Sequence, residues 1–367
     1  MKYIKEVVIL SFILFISIIS SYFLYSGPYV YYDDIDYIGL AHQMLQGTFR
    51  PFMPFSIETL TIASIALSFL FFGYGPLQAA LPSLVEYLAT IIVIFFLGRK
   101  MFNDYFGGAA SFLYATAPFV VGYTTRALPD IFTGLTVAIA CYYIYDTIEL
   151  KSERAMFLAG FFIALTMLVK TAGAIMIASF LIGLAYLYAH KKFRKYKRML
   201  AYAFVGMVIP LAAMMLYFYV FTQDPFFNLH VLATAFLVPS RSNLVNNIRD
   251  FNISINPILL ITIQDWRNLG DIPISASPMG LIIIFAIFGG IIGAVRKNKF
   301  IEFISLLALI PIFYIFFGTE SLTQYTPIYV VSRYLDIVAA PIAILAAYTL
   351  NALYISCLLY TSDAADE

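Results

Sequence analysis

The stretch YYDDIDYIGLAHQMLQG, residues 31–47, directly follows the first long apolar run of the chain and carries three carboxylates, Asp33, Asp34 and Asp36, within four positions. Two chemistries suit such a cluster. A carboxylate near a helix start caps free backbone N–H groups and complements the positive end of the helix dipole. The adjacent pair Asp33 and Asp34 exceeds what a cap needs, and mutual repulsion suits one member to act as a base. Further along, TTRALPDIFTG (124–134) carries Arg126 and Asp130, TMLVKTAG carries Lys170, and SRYLD carries Arg333 and Asp336. Cations on the same side as an acidic loop can hold an anionic headgroup or a phosphate. Each has a plainer reading. Arg126 and Lys170 fit snorkelling cations at helix ends, and Asp130 after Pro129 fits a helix first turn. Arg333 and Asp336, three apart, fit a pair on one helical face. Of the histidines, His42 shares the acidic segment, whereas His190 belongs to a basic loop.

The elements that must position these residues follow from composition. The chain has 367 residues, of which 62% are hydrophobic and 12% charged, with mean hydropathy +0.87. Such a chain cannot cover a water-facing surface, so its solvent is the lipid bilayer. A net charge of +1 gives no support for nucleic acid as a partner. Cys141 and Cys357 have neither metal nor disulfide spacing, and no HExxH, Walker A or GxSxG motif is present. A spanning helix needs about 20 apolar residues. The runs that qualify are 4–25, 77–98, 107–124, 131–149, 155–169, 172–189, 200–221, 278–296, 299–318 and 334–355.

The run 57–73 is ambiguous by hydropathy, and charge decides it. Short cytoplasmic loops are enriched in Lys and Arg. With Lys2 and Lys5 inside, the basic loops 99–100, 151–154, 190–198 and 296–299 all fall inside if 57–73 does not span. The fold expected is therefore all-α: a polytopic membrane protein of about ten transmembrane helices, with membrane-surface helices in the first outer loop. After Asp33 a short amphipathic helix is expected to lie on the membrane, with Ile35, Ile38, Ala41 or His42, and Leu45 on its apolar face and a stop at Gly47. Segments 26–76, 124–130, 222–277 and 319–333 then share the outer face with all the candidate chemistry. The 222–277 loop, which holds Trp266, is long enough to be functional.

In order, these features resemble the GT-C superfamily of integral-membrane glycosyltransferases. The likeness is greatest to the branch of protein O-mannosyltransferases, aminoarabinose transferases and RgtA/B/C/D-like enzymes. The resemblance rests on DDIDYIGLAHQMLQG, PFMPFSIETLTIASIALSFLFFGYG, FFLGRKMF, TTRALPD, AGFFIALTMLVKTAG and SRYLDIVAAPIAILAAY, and covers about residues 1–350. One position departs from many relatives, which carry Glu where this chain has Asp34. The resemblance implies a sugar donor linked to a polyprenyl phosphate and inverting transfer to an acceptor hydroxyl of a lipid, glycan or protein. It places the reaction at the extracytoplasmic face of a prokaryotic cytoplasmic membrane. Asp33 would deprotonate the acceptor, with Asp34 and Asp130 shaping the site or binding the acceptor. Arg126, Lys170 and Arg333 would stabilise the leaving phosphate, Arg333 first because a guanidinium offers paired donors. Tyr37 and His42 join the binding residues through their place in the first motif. Carboxylates suit Mg²⁺ or Mn²⁺, but nothing in the pattern requires a metal.

Two other classes compete. A flippase or transporter for lipid-linked glycans would place polar residues near the bilayer midplane, and here they cluster at the outer ends of spans. A polysaccharide polymerase or ligase would place its essential residues in 222–277. The tail CLLYTSDAADE (357–367) can be encoded by a transposase-type sequencing adapter. Residues 1–356 are accordingly expected to be a truncated GT-C-like domain and 357–367 non-native, which removes Cys357 from any chemical argument.

Overall fold

Backbone N–H and C=O groups find no water in a bilayer, so apolar runs of this length close their hydrogen bonds internally as helices. In the computed structural model, residues 2–23, 32–52, 54–189, 197–235, 281–319, 325, 327–328 and 332–363 are described. They form α1 (Lys2–Phe23), α2 (Tyr32–Leu45), α3 (Thr59–Phe72), α4 (Pro76–Met101), α5 (Asp104–Ala115), α6 (Pro118–Val121) and α7 (Asp130–Leu150). After these come α8 (Glu153–Val169), α9 (Ala174–Ala189), α10 (Lys197–Thr222), α11 (Phe227–Ala235), α12 (Leu281–Val295), α13 (Lys299–Phe317) and α14 (Asp336–Asp363). The protein is a polytopic all-α membrane protein. Among the described residues, seven helical segments are long and apolar enough to cross a membrane: Ile4–Phe23, Pro76–Met101, Asp130–Leu150, Thr171–Ala189, Lys197–Thr222, Lys299–Phe317 and Arg333–Cys357.

Three of the ten expected runs are not among these seven segments. The run 107–124 is broken: α5 stops at Ala115, and Ala117 is extended (ψ 120°) before Pro118. Proline disfavours helical backbone in the residue before it, a signal hydropathy does not register. The runs 155–169 and 278–296 become α8, of 17 residues, and α12, of 15. The 57–73 run becomes α3, whose 14 residues reach about 21 Å, short of the ~30 Å hydrocarbon core. One side of α3 is buried through Ile62, Ile65, Ala66 and Phe69, while Leu67, Leu70, Phe71 and Phe72 are exposed.

α14 is central and α1 peripheral: 78% of the α14 span is buried, against 22% for α1. α7 lies between α4, α8 and α14. α8 and α10 approach closely because both present glycine at the crossing. A Cβ on Gly160 would sit 2.3 Å from the Ala203 carbonyl oxygen, and one on Gly206 only 2.1 Å from that of Phe157. Pro82 inside α4 cannot donate to the Gln78 carbonyl, and the Ser68 hydroxyl of α3 donates to it instead at 2.6 Å. That bond pins α3 to α4.

α2 ends as expected, with Gly47 in the left-handed region (φ 69°). Its buried face is different. Asp34, Tyr37, Ile38 and Ala41 are buried, whereas Ile35 is 56% and Leu45 42% exposed. The helix is thus rotated by about one residue from the expected phase. The polar Asp34 and Tyr37 take inward positions that a hydrophobicity pattern assigns outward.

Candidate functional site

Four chain breaks meet at one end of the bundle. The first turn of α2 presents Asp33, and the first turn of α7 presents Asp130. α8 ends at Val169, and Lys170 is extended (φ −146°, ψ 134°) before a 3-10 turn, Thr171–Gly173, that leads into α9. Gly173 permits this tight hairpin, since a Cβ there would lie 2.3 Å from the Thr166 backbone. A second 3-10 turn, Ser332–Leu335, carries Arg333 and Tyr334 into α14.

The charged groups pair across these breaks. The Arg333 guanidinium donates to Asp33 Oδ2 at 2.5 Å, joining residues 300 positions apart. The Lys170 ammonium donates to Asp130 Oδ1. Tyr334 lies beside both cations, with its ring centroid 4.7 Å from Lys170 Nζ and 5.7 Å from Arg333 Cζ. Such placements over an aromatic face are attractive, and they hold the two positive groups on a common support. The expected Arg333–Asp336 pair is not made. Arg333 turns to Asp33 instead, and both carboxylate oxygens of Asp336 are buried without a hydrogen-bond partner among the described residues.

Glu58, just before α3, ties the breaks together. Its carboxylate accepts from the Tyr37 hydroxyl, from the Thr171 backbone N–H at 3.0 Å and from the Thr171 hydroxyl at 3.1 Å. Burial pushes Glu58 above its usual range, opposed by Lys170 and by the hydrogen bonds from Tyr37 and Thr171. Burial also raises the Tyr37 phenol well above its usual value, with Glu58 adding to the rise, so Tyr37 remains a donor. Asp36 is raised by burial and then by the charge of Asp33.

Between these groups lies a cavity of about 570 Å³. Asp33, Tyr37, Glu58, Asp130, Lys170 and Arg333 form its polar part. Its other wall is apolar and includes Met167, Ile175, Leu229, Ile315 and Ile337. A site half charged and half apolar suits an amphiphile with an anionic head.

Five of the eight residues singled out from the sequence line this cavity: Asp33, Tyr37, Asp130, Lys170 and Arg333. Three lie elsewhere. Asp34 is fully buried on the inner face of α2. Arg126 is buried with its guanidinium 4.9 Å from the Tyr123 ring, and its carbonyl accepts from Ser83 at 2.5 Å. His42 bonds to Gln46 at 2.8 Å and packs against Tyr74. Glu58, Thr171 and Tyr334 were not singled out. A lone Glu in PFSIETL gives little warning, although a carboxylate just ahead of an apolar run is a signal that was available. Among the described residues, no group of three or more His, Cys, Asp or Glu converges to hold a metal ion. The loop beyond Ala235, with Trp266 and the sequon at Asn252, lies outside the described residues.

The model of the dolichyl-phosphate-mannose-protein mannosyltransferase family matches residues 60–239. In structure the chain is similar to ArnT from Cupriavidus metallidurans, with a TM-score of 0.66 and 14% identity over 95% of this chain and 59% of that one. The chain has the GT-C fold. A second structure of ArnT, bound to undecaprenyl phosphate, is also similar at a TM-score of 0.66 and 14% identity, over 95% of this chain and 60% of that one. AglB, the oligosaccharyltransferase of Archaeoglobus fulgidus, crystallised with an inhibitory peptide and a dolichol-phosphate, is similar at a TM-score of 0.52 and 14% identity. That match covers 99% of this chain and 52% of AglB. The chain described here spans between half and three-fifths of the length of these solved structures. No curated protein matches it in sequence.

Proposed function

We propose that this chain is an inverting glycosyltransferase that takes a sugar from a polyprenyl-phosphate donor and delivers it to an acceptor hydroxyl on the extracytoplasmic face of a prokaryotic membrane. The observation that carries this reading is the joining, in one cavity, of the carboxylates Asp33 and Asp130 with the cations Lys170 and Arg333, beside an apolar wall. The solved relatives bound to undecaprenyl phosphate and dolichol-phosphate support the donor class.

In this scheme Asp33 accepts the proton of the acceptor hydroxyl as its oxygen attacks the anomeric carbon. The bond from that carbon to the phosphate oxygen breaks on the opposite side, and its electron pair stays with the phosphate. A lipid phosphate leaves as an anion, so it needs positive charge more than a proton. Arg333 and Lys170 supply that charge by exchanging their carboxylate partners for phosphate oxygens. Asp130 then lines the acceptor side, and the apolar wall takes the first isoprene units. No step requires a divalent metal.

The test uses membranes bearing the protein and a panel of radiolabelled polyprenyl-phosphate sugars. Sugar-dependent release of free polyprenyl phosphate, reduced at least about 100-fold in Asp33→Asn at equal expression, is the expected result. Release that the substitution leaves unchanged removes Asp33 from the chemistry, and no release with any donor turns the assignment toward transport.

A further inference from the structure

The cavity leaves one neighbouring charge out of account. Asp336 opens α14 behind the cavity wall, 1% exposed, and neither of its carboxylate oxygens has a hydrogen-bond partner among the described residues. Its backbone carbonyl lies against Gly134, one turn beyond Asp130 on α7, where an added Cβ would come within 3.1 Å of it. Within electrostatic reach of Asp336 are Asp130 from α7, Lys170 from the α8–α9 turn, Arg333 from the turn before α14 and Tyr114 from α5. Both cations already have partners, in Asp130 and Asp33. The second oxygen of Asp130, Oδ2, is itself buried without a partner among the described residues.

A buried carboxylate with no donor to it and no cation of its own is costly. The start of α14 offsets part of that cost through the helix dipole, but a helix end contributes less than removing an ion from water costs. A carboxylic acid in the same place is neutral and gains an O–H that can be given away. The nearby acceptor that lacks a donor is Asp130 Oδ2.

Resting on the lipid-phosphate reading, we propose that Asp336 is held as a carboxylic acid and serves as a positioning residue for Asp130. When the phosphate draws the Lys170 ammonium away, the Asp336 O–H donates to Asp130, which would otherwise be left as an uncompensated buried carboxylate. No proton is gained or lost overall; one hydrogen bond replaces one ion pair. The exchange at Lys170 therefore costs less than it would beside an ionised Asp336. The substrate phosphate never touches Asp336.

The experiment compares farnesyl phosphate binding, in detergent micelles, by the wild type, Asp336→Asn and Asp336→Leu. The amide of Asn is neutral and still donates, so Asp336→Asn is expected to bind within about threefold of wild type near neutrality. Leu cannot donate, and its affinity is expected to fall about tenfold or more. Raising the pH should weaken the wild type more steeply than Asp336→Asn, because only the wild type loses the donor with its proton. The infrared band of protonated buried carboxyls should be weaker in Asp336→Asn than in the wild type, whether or not ligand is bound.

Asn binding as poorly as Leu would show that charge is needed and overturn the proposal. So would Leu binding as well as wild type, parallel pH profiles, or a carboxyl band that keeps its full intensity in Asp336→Asn. A wild type that shows the band but does not bind farnesyl phosphate overturns the lipid-phosphate reading, leaving the protonated Asp336 standing without its role.

Discussion

The two ends of the helix bundle use the same kinds of charged residue for different ends. At the end away from the cavity, Arg99 bonds Glu6 of α1 and Asp104 of α5, Lys100 bonds Asp146 of α7, and Lys299 bonds Glu302. Tyr142 and Tyr186 cover Lys100 and Lys299. The pairs of Arg99 and Lys100 join neighbouring helix ends, whereas Lys299–Glu302 lies in the first turn of α13 and meets α9 through the Tyr186 hydroxyl. None of these residues lines the cavity described above. At the cavity end, Asp33–Arg333 and Asp130–Lys170 join chain breaks that face open space, with further carboxylates, Glu58 and Asp336, close by. An ion pair between helix ends is a fastening. An ion pair on a cavity wall is a pair of charges that a ligand can separate.

The contrast can be broken by moving charge at each end in turn. The largest effects are expected from Arg333→Met and Lys170→Met. Each should lower kcat/KM for polyprenyl-phosphate sugar by about 10²–10³-fold, as removal of a group that stabilises developing negative charge does. If either variant transfers sugar at wild-type rates, its cation belongs with the fastenings. Glu58→Gln keeps the shape but weakens the tie between α2 and the Lys170 turn, and a fall of about tenfold in the same assay is expected.

Glu58 also gives a pH signature. Burial raises it above its ordinary value of 4.5, so the folded chain binds more protons than the unfolded one as pH rises past 4.5. The wild type should therefore lose stability through that window, and Glu58→Gln should lose less. Thermal unfolding in detergent between acid and neutral pH reads the difference, and parallel curves would count against a strained carboxylate there. The smallest effect belongs to the far end. Lys100→Met should leave transfer within about twofold of wild type and cost at most about 1 kcal/mol of stability. A large loss of transfer would mean that the two ends are coupled.

Much of the architecture is legible in the residues. The all-α class, the membrane as solvent and the short α3 follow from hydropathy, helix geometry and the placing of Lys and Arg, because lipid leaves the backbone few alternatives. Asp33, Asp130, Lys170 and Arg333 could be chosen as one group because each ends an apolar run on the same expected face, and the structure brings all four to one cavity. The sequence did not reveal which charge answers which. The i,i+3 spacing of Arg333 and Asp336 suggested a local pair, yet Arg333 bonds Asp33, 300 residues away, and Asp336 is left buried beside Asp130.

The rotation of α2 that turns Asp34 inward was likewise decided by packing against α3, and the part played by Glu58 depends on where the Thr171 turn lands. Composition and local spacing settle how a segment meets lipid and water, since that depends on the segment alone. Partnership between charges depends on where distant segments come to rest, and only the tertiary structure decides it.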